Sequence, residues 1–172
     1  RRLGVYGHSM GGKLTVMTAA ADARVKAAAP SCGGISDRHA DDPLCQATID
    51  DDVSLKKISC PIMFLSPAND FHGRINDLQK AVREISSTAW RLNCSPHHNH
   101  RDTAEYLVAS PLWFDQCLRG TFAFPTTPQT SLDLKTADGI PTLKVTPDAA
   151  RTALAVNIYY TQQGQKEGER DD

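Results

Sequence analysis

The sequence predicts an α/β protein built on a parallel sheet, followed by the start of a small β-rich domain. Short apolar runs alternate with helix-forming stretches over residues 1–122. This strand–helix alternation is typical of parallel βαβ units with right-handed crossovers. Beyond residue 130 the pattern changes to segments in which apolar and polar residues alternate. Such alternation indicates antiparallel strands with one exposed face.

The first three elements follow from local composition. Residues 3–6 form a short apolar run and predict a strand. Residues 13–23 are rich in Ala, Leu, Met and Lys, which are good helix formers. Residues 25–30 predict a second strand, which ends at Pro30 and the turn residues that follow it.

The middle of the chain predicts a surface excursion, two further strands and a helix. Residues 35–57 are polar and acidic, which favours an excursion with one helical turn that covers a site. The continuous apolar run 61–65 is typical of a strand buried on both faces, and residues 90–94 predict the next strand. Between them, a helix is predicted by apolar residues at steps of three and four: Ile75, Leu78, Val82 and Ile85.

A final helix is predicted to begin at a cap formed by Asp102 or Thr103 and to end at Gly120. Pro111 lies inside it and is expected to kink the helix or split it in two. The aromatic pair Trp113 and Phe114 is interpreted as part of the core rather than as a ligand contact.

Three domains or segments are predicted. Residues 1–122 form the α/β domain, 123–130 a Pro/Thr-rich linker, and 131–172 part of a β-rich, sandwich-like domain. In the last segment, strands are expected at 131–136, 141–145 and 153–160, with a hairpin turn at 137–139. Residues 162–172 are polar and charged and predict a loop or a cut end.

Composition excludes several classes of function. The 172 residues carry a net charge of -1 and no cluster of Lys or Arg, which argues against a nucleic-acid or anionic-membrane partner. No apolar run approaches the roughly 20 residues of a membrane-spanning helix. The five cysteines include no Cys-x-x-Cys pair, which argues against a zinc ribbon or a redox motif.

One motif points to chemistry. Gly7-His8-Ser9-Met10-Gly11 fits Gly-x-Ser-x-Gly, the nucleophile elbow, in which a strand turns sharply into a helix and exposes a serine at the bend. Because the backbone is strained and neighbouring segments approach closely, the positions of Gly7 and Gly11 are expected to tolerate only glycine, which has no Cβ atom.

Two later loops supply partners for the serine. Asp70 lies just beyond the strand at 61–65, and a loop with three histidines (His97, His98 and His100) follows the strand at 90–94. Because the carboxyl ends of parallel strands share one edge, Ser9, Asp70 and this loop are expected to meet there. Asp37 is the alternative acid, and His97 or His98 is the alternative base.

Together these residues resemble an α/β-hydrolase of the dienelactone hydrolase/acetylxylan esterase-like group. The resemblance rests on the elbow at 7–12, on Asp70 within 67–73 and on His100 before the last helix. It covers about residues 1–120 and implies the C-terminal half of that fold, strands 5 to 8. It also implies hydrolysis of carboxylic esters, or alternatively of peptides, through an acyl-serine, with no metal or organic cofactor.

The resemblance assigns roles to individual residues. Ser9 is the nucleophile, His100 the general base and acid, and Asp70 the orienting carboxylate. The Met10 N–H group supplies one oxyanion-hole donor. Candidates for lining the substrate pocket are His8, Gly33, Phe71, His72 and His97. The implied substrate is a small-molecule or polysaccharide ester.

The second oxyanion donor of this family comes from a loop before the elbow. Because the chain opens with Arg1-Arg2 and enters a strand at once, we expect the earlier half to be missing. Little activity is then expected of these 172 residues alone, with one side of the sheet unfinished. The compartment stays open, with a secreted or periplasmic location slightly favoured, and the sequence carries no signal for oligomeric state.

Two alternatives belong to other classes. The histidine loop, together with His72 and Asp70, could form a zinc site, although its spacing fits no recognised ligand pattern. The β-rich tail could instead make the protein a non-catalytic binding module with a degenerate hydrolase domain.

Overall fold

A computed structural model describes residues 2–39, 41–150 and 152–160. The described chain divides into two compact units, residues 2–122 and residues 123–160.

The first unit is built on a four-stranded parallel sheet in the order β1-β2-β3-β4, which confirms the predicted α/β class. The strands are β1 (Leu3–His8), β2 (Val25–Ser31), β3 (Ile62–Leu65) and β4 (Trp90–Asn93). In the described chain β1 is an edge strand that pairs with β2 alone. All of β3 is buried, as its continuous apolar run predicts.

Helices connect the strands. They are α1 (Met10–Ala21), α2 (Pro43–Thr48), α3 (Asp51–Leu55), α4 (Leu78–Glu84) and α5 (Ala104–Phe114). A 3₁₀ turn, Ile75–Asp77, precedes α4, and a π-helical turn, Asp115–Arg119, extends α5. Gly120 ends this last helix with a φ of 71°, the left-handed conformation expected of a glycine stop.

The core lies between the sheet and its helices. Val16 of α1, Phe64 of β3 and Leu78 of α4 belong to one cluster of buried apolar side chains. On α5, Trp113 is buried and its Nε1–H group donates to the backbone oxygen of Ala28 at 3.1 Å. Trp113 is therefore a core residue, as predicted. No helix in the described part of the chain is both long and apolar enough to cross a bilayer.

The segment between β2 and β3 differs from the predicted surface excursion. It forms two short helices, α2 and α3, rather than one turn, and Ile35 and Leu55 are fully buried in the core. The acidic Asp51 is also buried, because Lys13 of α1 reaches it and neutralises part of its charge. The burial of this segment could not be predicted from its composition, because acidic residues usually face solvent.

The predicted split of the last helix at Pro111 does not occur, and α5 runs continuously through that position. A proline removes the donor that would bond to the carbonyl four residues earlier. Here that carbonyl belongs to Leu107, a residue that is well exposed, so water can satisfy it. The helix begins after Thr103, whose hydroxyl bonds to Ser95 at 2.7 Å rather than to the helix N-terminus.

The second unit contains an antiparallel hairpin of β5 (Gln129–Asp133) and β6 (Thr142–Thr146), with Leu132 opposite Leu143. Its turn lies where predicted: the Gly139 N–H group donates to Thr136 at 3.0 Å, and Gly139 has a φ of 75°. The strand begins two residues earlier than expected, inside the predicted linker.

The third predicted strand, 153–160, is wrong, because no strand forms among the described residues 152–160. Its side chains are exposed, Leu154 and Tyr160 almost completely. An alternating pattern needs a neighbouring strand for its hydrogen bonds, and none pairs with this segment in the described chain. The predicted loop at 162–172 lies outside the described residues.

Candidate active site

Ser9 occupies a sharp turn between β1 and α1. Its backbone has a φ of 59° and a ψ of -119°, which is uncommon for a residue with a side chain and typical of a nucleophile elbow. A Cβ atom on Gly7 would overlap the backbone oxygen of Gly11, so glycine is required there.

The expectation for Gly11 is wrong, because a Cβ atom there would meet nothing within 4 Å. The second close approach belongs to Gly12, where a Cβ atom would lie 2.5 Å from the Ser31 oxygen. The helix therefore rests against the end of β2 one residue later than the motif suggests.

The structure brings Ser9, His100 and Asp70 together. His100 Nε2 lies 2.7 Å from Ser9 Oγ, and His100 Nδ1 lies 2.9 Å from Asp70 Oδ1. Because an ionised carboxylate can only accept, Nδ1–H donates to Asp70 and Nε2 is left to accept from the serine hydroxyl. The other predicted histidines do not occupy this position: His97 is exposed, and the backbone oxygen of His98 accepts from Asn69.

Asp70 is placed to remain ionised. Burial alone would raise its pKa, but hydrogen bonds from the His72 N–H group and from His100 hold that pKa below its ordinary value. Its Oδ2 atom is buried and accepts no well-formed hydrogen bond from the described residues. The Cys32 thiol and the Gly73 N–H group lie close enough to contribute to the lowered pKa.

The predicted oxyanion donor, Met10, is the first residue of α1. N–H groups in the first turn of a helix have no intrahelical acceptor and lie at the positive end of the helix dipole. The Met10 N–H group can therefore donate to an oxyanion that develops next to Ser9.

The pocket candidates lie at different distances from His100. The rings of Phe71, His8 and His72 lie 4.4, 5.0 and 6.0 Å from the His100 ring, centroid to centroid. Phe71 is about half exposed, so its ring is available to a ligand. Gly33 is buried beneath Ser9, where a Cβ atom would overlap the Ser9 oxygen.

Asp102 is a site residue that the sequence did not reveal beyond its candidacy as a helix cap. It accepts from Ser31 Oγ at 2.6 Å, and its Oδ1 lies 3.2 Å from His8 Nδ1. These contacts tie the chain two residues beyond His100 to the ends of β1 and β2. The sequence feature that could have pointed to Asp102 is its position two residues after His100.

Asp37, the alternative acid, pairs instead with Lys13 at 2.9 Å and with His72 Nε2 at 3.1 Å. Asp51 joins this group through Lys13 at 3.1 Å. Among the described residues, the carboxylate that bonds to His100 is therefore Asp70.

The predicted zinc alternative, built on the histidine loop, is not assembled. Among the described residues, the group of potential metal ligands that converges is Cys32, Asp70 and His100, whose donor atoms lie within 4.8 Å of one another. Burial, reinforced by Asp70, raises the pKa of the Cys32 thiol to about 12.

A serine at a strained elbow, with a histidine and a buried carboxylate in hydrogen-bonded sequence on one edge of a parallel sheet, defines the α/β-hydrolase fold class. The sequence model of the dienelactone hydrolase family matches residues 1–101. The chain belongs to the dienelactone hydrolase family. A search of curated proteins found no match.

Solved structures agree on the fold. A zinc-bound cold-adapted esterase from an Arctic intertidal metagenomic library aligns with a TM-score of 0.55 at 20% identity, covering 69% of this chain and 50% of that one. Acetyl xylan esterase 1 from Thermoanaerobacterium sp. JW/SL YS485 aligns at 0.55 and 16% identity, covering 68% and 46%. The 2,6-dihydroxy-pseudo-oxynicotine hydrolase aligns at 0.53 and 19%, covering 72% and 42%. The chain thus spans about half the length of these structures or less.

Proposed function

We propose that the protein is a serine hydrolase that cleaves carboxylic esters through an acyl-serine intermediate. The observation that carries this proposal is the hydrogen-bonded series from Ser9 Oγ through His100 to Asp70. A serine hydroxyl is a weak nucleophile until a base removes its proton, and the base needs a partner that fixes its tautomer.

In the proposed reaction, His100 Nε2 takes the hydroxyl proton as Ser9 Oγ attacks the ester carbonyl. Asp70 stabilises the resulting imidazolium, and the Met10 N–H group donates to the tetrahedral oxyanion. His100 then gives its proton to the leaving alcohol, and the acyl group stays on Ser9. Water, activated by the same histidine, hydrolyses the acyl-serine and regenerates the hydroxyl.

The proposed substrates are small-molecule or polysaccharide esters. The family itself supports hydrolysis, and two of the structural neighbours are described as esterases, one of them an acetyl xylan esterase. The half-exposed Phe71 ring beside His100 is suited to contact an apolar part of such a substrate.

The test uses the full-length gene product with short-chain acyl esters and a fluorophosphonate probe. Ser9→Ala is expected to lose at least about 10³-fold in rate and all labelling, because the nucleophile is removed. His100→Ala should lose a comparable factor, since the general base is removed. His97→Ala is the comparison variant and should not lose a comparable factor. Labelling that persists in Ser9→Ala, or a greater loss in His97→Ala than in His100→Ala, would contradict the proposal.

A further inference from the structure

A second group of ionisable side chains lies beside the proposed triad and takes no part in the chemistry described above. It has four members from three segments. Lys13 lies on α1, four residues after Ser9, and His72 lies two residues after Asp70. The other two, Asp37 and Asp51, come from the connection between β2 and β3.

These four side chains are joined by direct contacts. Lys13 Nζ donates to Asp37 Oδ2 at 2.9 Å and to Asp51 Oδ1 at 3.1 Å. The other oxygen of Asp51 accepts from the Asp37 backbone N–H group at 2.8 Å. His72 Nε2 lies 3.1 Å from Asp37 Oδ2, and because the carboxylate accepts, Nε2 carries the proton.

Two members of the group are almost completely buried. The side chains of Lys13 and Asp51 are 8% and 1% exposed. Burial alone would lower the pKa of Lys13, but the bonds and charges of Asp37 and Asp51 raise it, so the lysine stays a cation. A buried ion pair adds little net stability compared with apolar packing, although removing one partner is costly. Its presence beside the site therefore calls for another role.

The group reaches the triad through His72. The backbone N–H group of His72 donates to Asp70 Oδ1 at 2.8 Å, the same oxygen that accepts from His100. The His72 ring rests on Gly33, where a Cβ atom would lie 3.0 Å from Cε1, and Gly33 in turn lies beneath the Ser9 oxygen. His72 thus contacts Asp70 directly and also contacts Gly33, the residue that packs against the Ser9 backbone.

We propose that Lys13, Asp37, Asp51 and His72 form a positioning network that fixes the Asp70 loop relative to the Ser9 helix and so aligns His100. This rests on the proposed function, because the alignment matters only if these residues perform the chemistry. Lys13 anchors the network to the serine helix, Asp37 sets the direction of the His72 ring, and His72 holds the Asp70 carboxylate.

The kinetic test compares His72→Leu with His72→Gln. Leucine cannot donate to Asp37, so the loop loses its anchor, and kcat should fall by about 10²-fold, a loss that a misplacement of about 1 Å can cause. KM should change less than kcat, because the network acts on the chemistry through the position of the Asp70 loop. Glutamine can donate to Asp37, so the kcat of His72→Gln should be at least about tenfold higher than that of His72→Leu.

Lys13→Met should reproduce the His72→Leu result, because it removes the cation that holds Asp37 and Asp51. Its matched control is Lys56→Met. Lys56 forms an exposed ion pair with Asp52 on the same connection, at 2.7 Å, and its loss should leave kcat unchanged. All rates are measured well below the unfolding temperature of each variant, and if Lys13→Met does not fold, the histidine pair decides.

A second readout does not depend on activity. The proton on His100 Nδ1, in its bond to Asp70, gives a low-field resonance in ¹H NMR, which should broaden or shift in His72→Leu and stay unchanged in Lys56→Met. Variants that lose stability but keep wild-type kcat and this resonance would overturn the positioning role. If wild-type protein fails to react with the fluorophosphonate probe, the proposed function fails, whereas the resonance still tests the network.

Discussion

At the scale of single residues, the bend at Ser9 depends on which neighbours lack a side chain. Gly7 and Gly12 lie against backbone atoms of Gly11 and Ser31, whereas Gly11 itself faces open space. The motif treats the glycines on either side of the serine alike. The packing separates them, because only some of these positions touch another part of the backbone.

This difference can be measured. Gly12→Ala should lower the free energy of unfolding by about 2 kcal/mol, because its Cβ atom would lie 2.5 Å from the Ser31 oxygen and force backbone apart. Gly11→Ala is the matched variant and should raise it by up to about 1 kcal/mol, since alanine favours the helix. Urea denaturation of both variants gives the values. A Gly12→Ala protein as stable as wild type would contradict the packing.

Residues of the candidate site differed in how well their positions could be predicted from sequence. Ser9, Asp70 and His100 could be placed because each follows a strand whose end lies on the same sheet edge. Asp51 and Asp102 could not, because their contacts join residues 38 and 71 positions apart with no motif between them. Such contacts depend on tertiary packing, which local patterns do not encode.

At the scale of elements, the strands were easier to predict than the connections. The run of β3 favours one interpretation, because a short, wholly apolar segment between turns is typical of a buried strand and is too short for most helices. The acidic connection after β2 allows several interpretations, because the burial of its Asp51 depends on Lys13, which lies on another element. The same reasoning explains why the strand predicted at 153–160 was wrong: its pattern suits a strand, but within the part of the chain that the structure describes no strand pairs with it.

The join between α5 and the sheet gives a test at this scale. Trp113→Phe should cost about 1–3 kcal/mol of unfolding free energy, because the Ala28 oxygen loses the indole donor inside the core. Trp90→Phe is the control. Trp90 is 42% exposed, so its change should stay within about 0.5 kcal/mol. Thermal or urea unfolding followed by circular dichroism measures both, and equal effects would argue against the buried bond.

At the scale of the whole molecule, the near-zero net charge conceals carboxyl groups whose ionisation is coupled to folding. Burial alone would raise the pKa of Asp37 and Asp70, but their hydrogen bonds hold both below the ordinary value. Asp51 behaves in the opposite way, because burial raises its pKa despite the Asp37 N–H group and Lys13. Folding therefore releases protons through Asp37 and Asp70 and takes up protons through Asp51, in two different ranges of pH.

The signs follow from which state binds the proton more tightly. A carboxyl group with a lowered pKa contributes stability that is present above its unfolded value, about 3.9, and is lost as the pH falls through the folded value. A carboxyl group with a raised pKa releases its proton at a higher pH in the folded state than in the unfolded state. Asp51 therefore lowers stability as the pH rises from about 3.9 through its higher folded value.

Unfolding by urea at closely spaced pH values from 3 to 7 should separate these contributions. Below about pH 4, the free energy of unfolding should fall steeply in wild type and less steeply in Asp70→Asn, because one group with a lowered pKa is gone. Above about pH 4, Asp51→Asn should make stability rise more with pH than in wild type, because the opposing group is removed. The exposed Asp41→Asn is the control for both slopes. If Asp70→Asn and Asp51→Asn changed the slope with the same sign in the same range of pH, the burial and bonding described for one of them would be wrong.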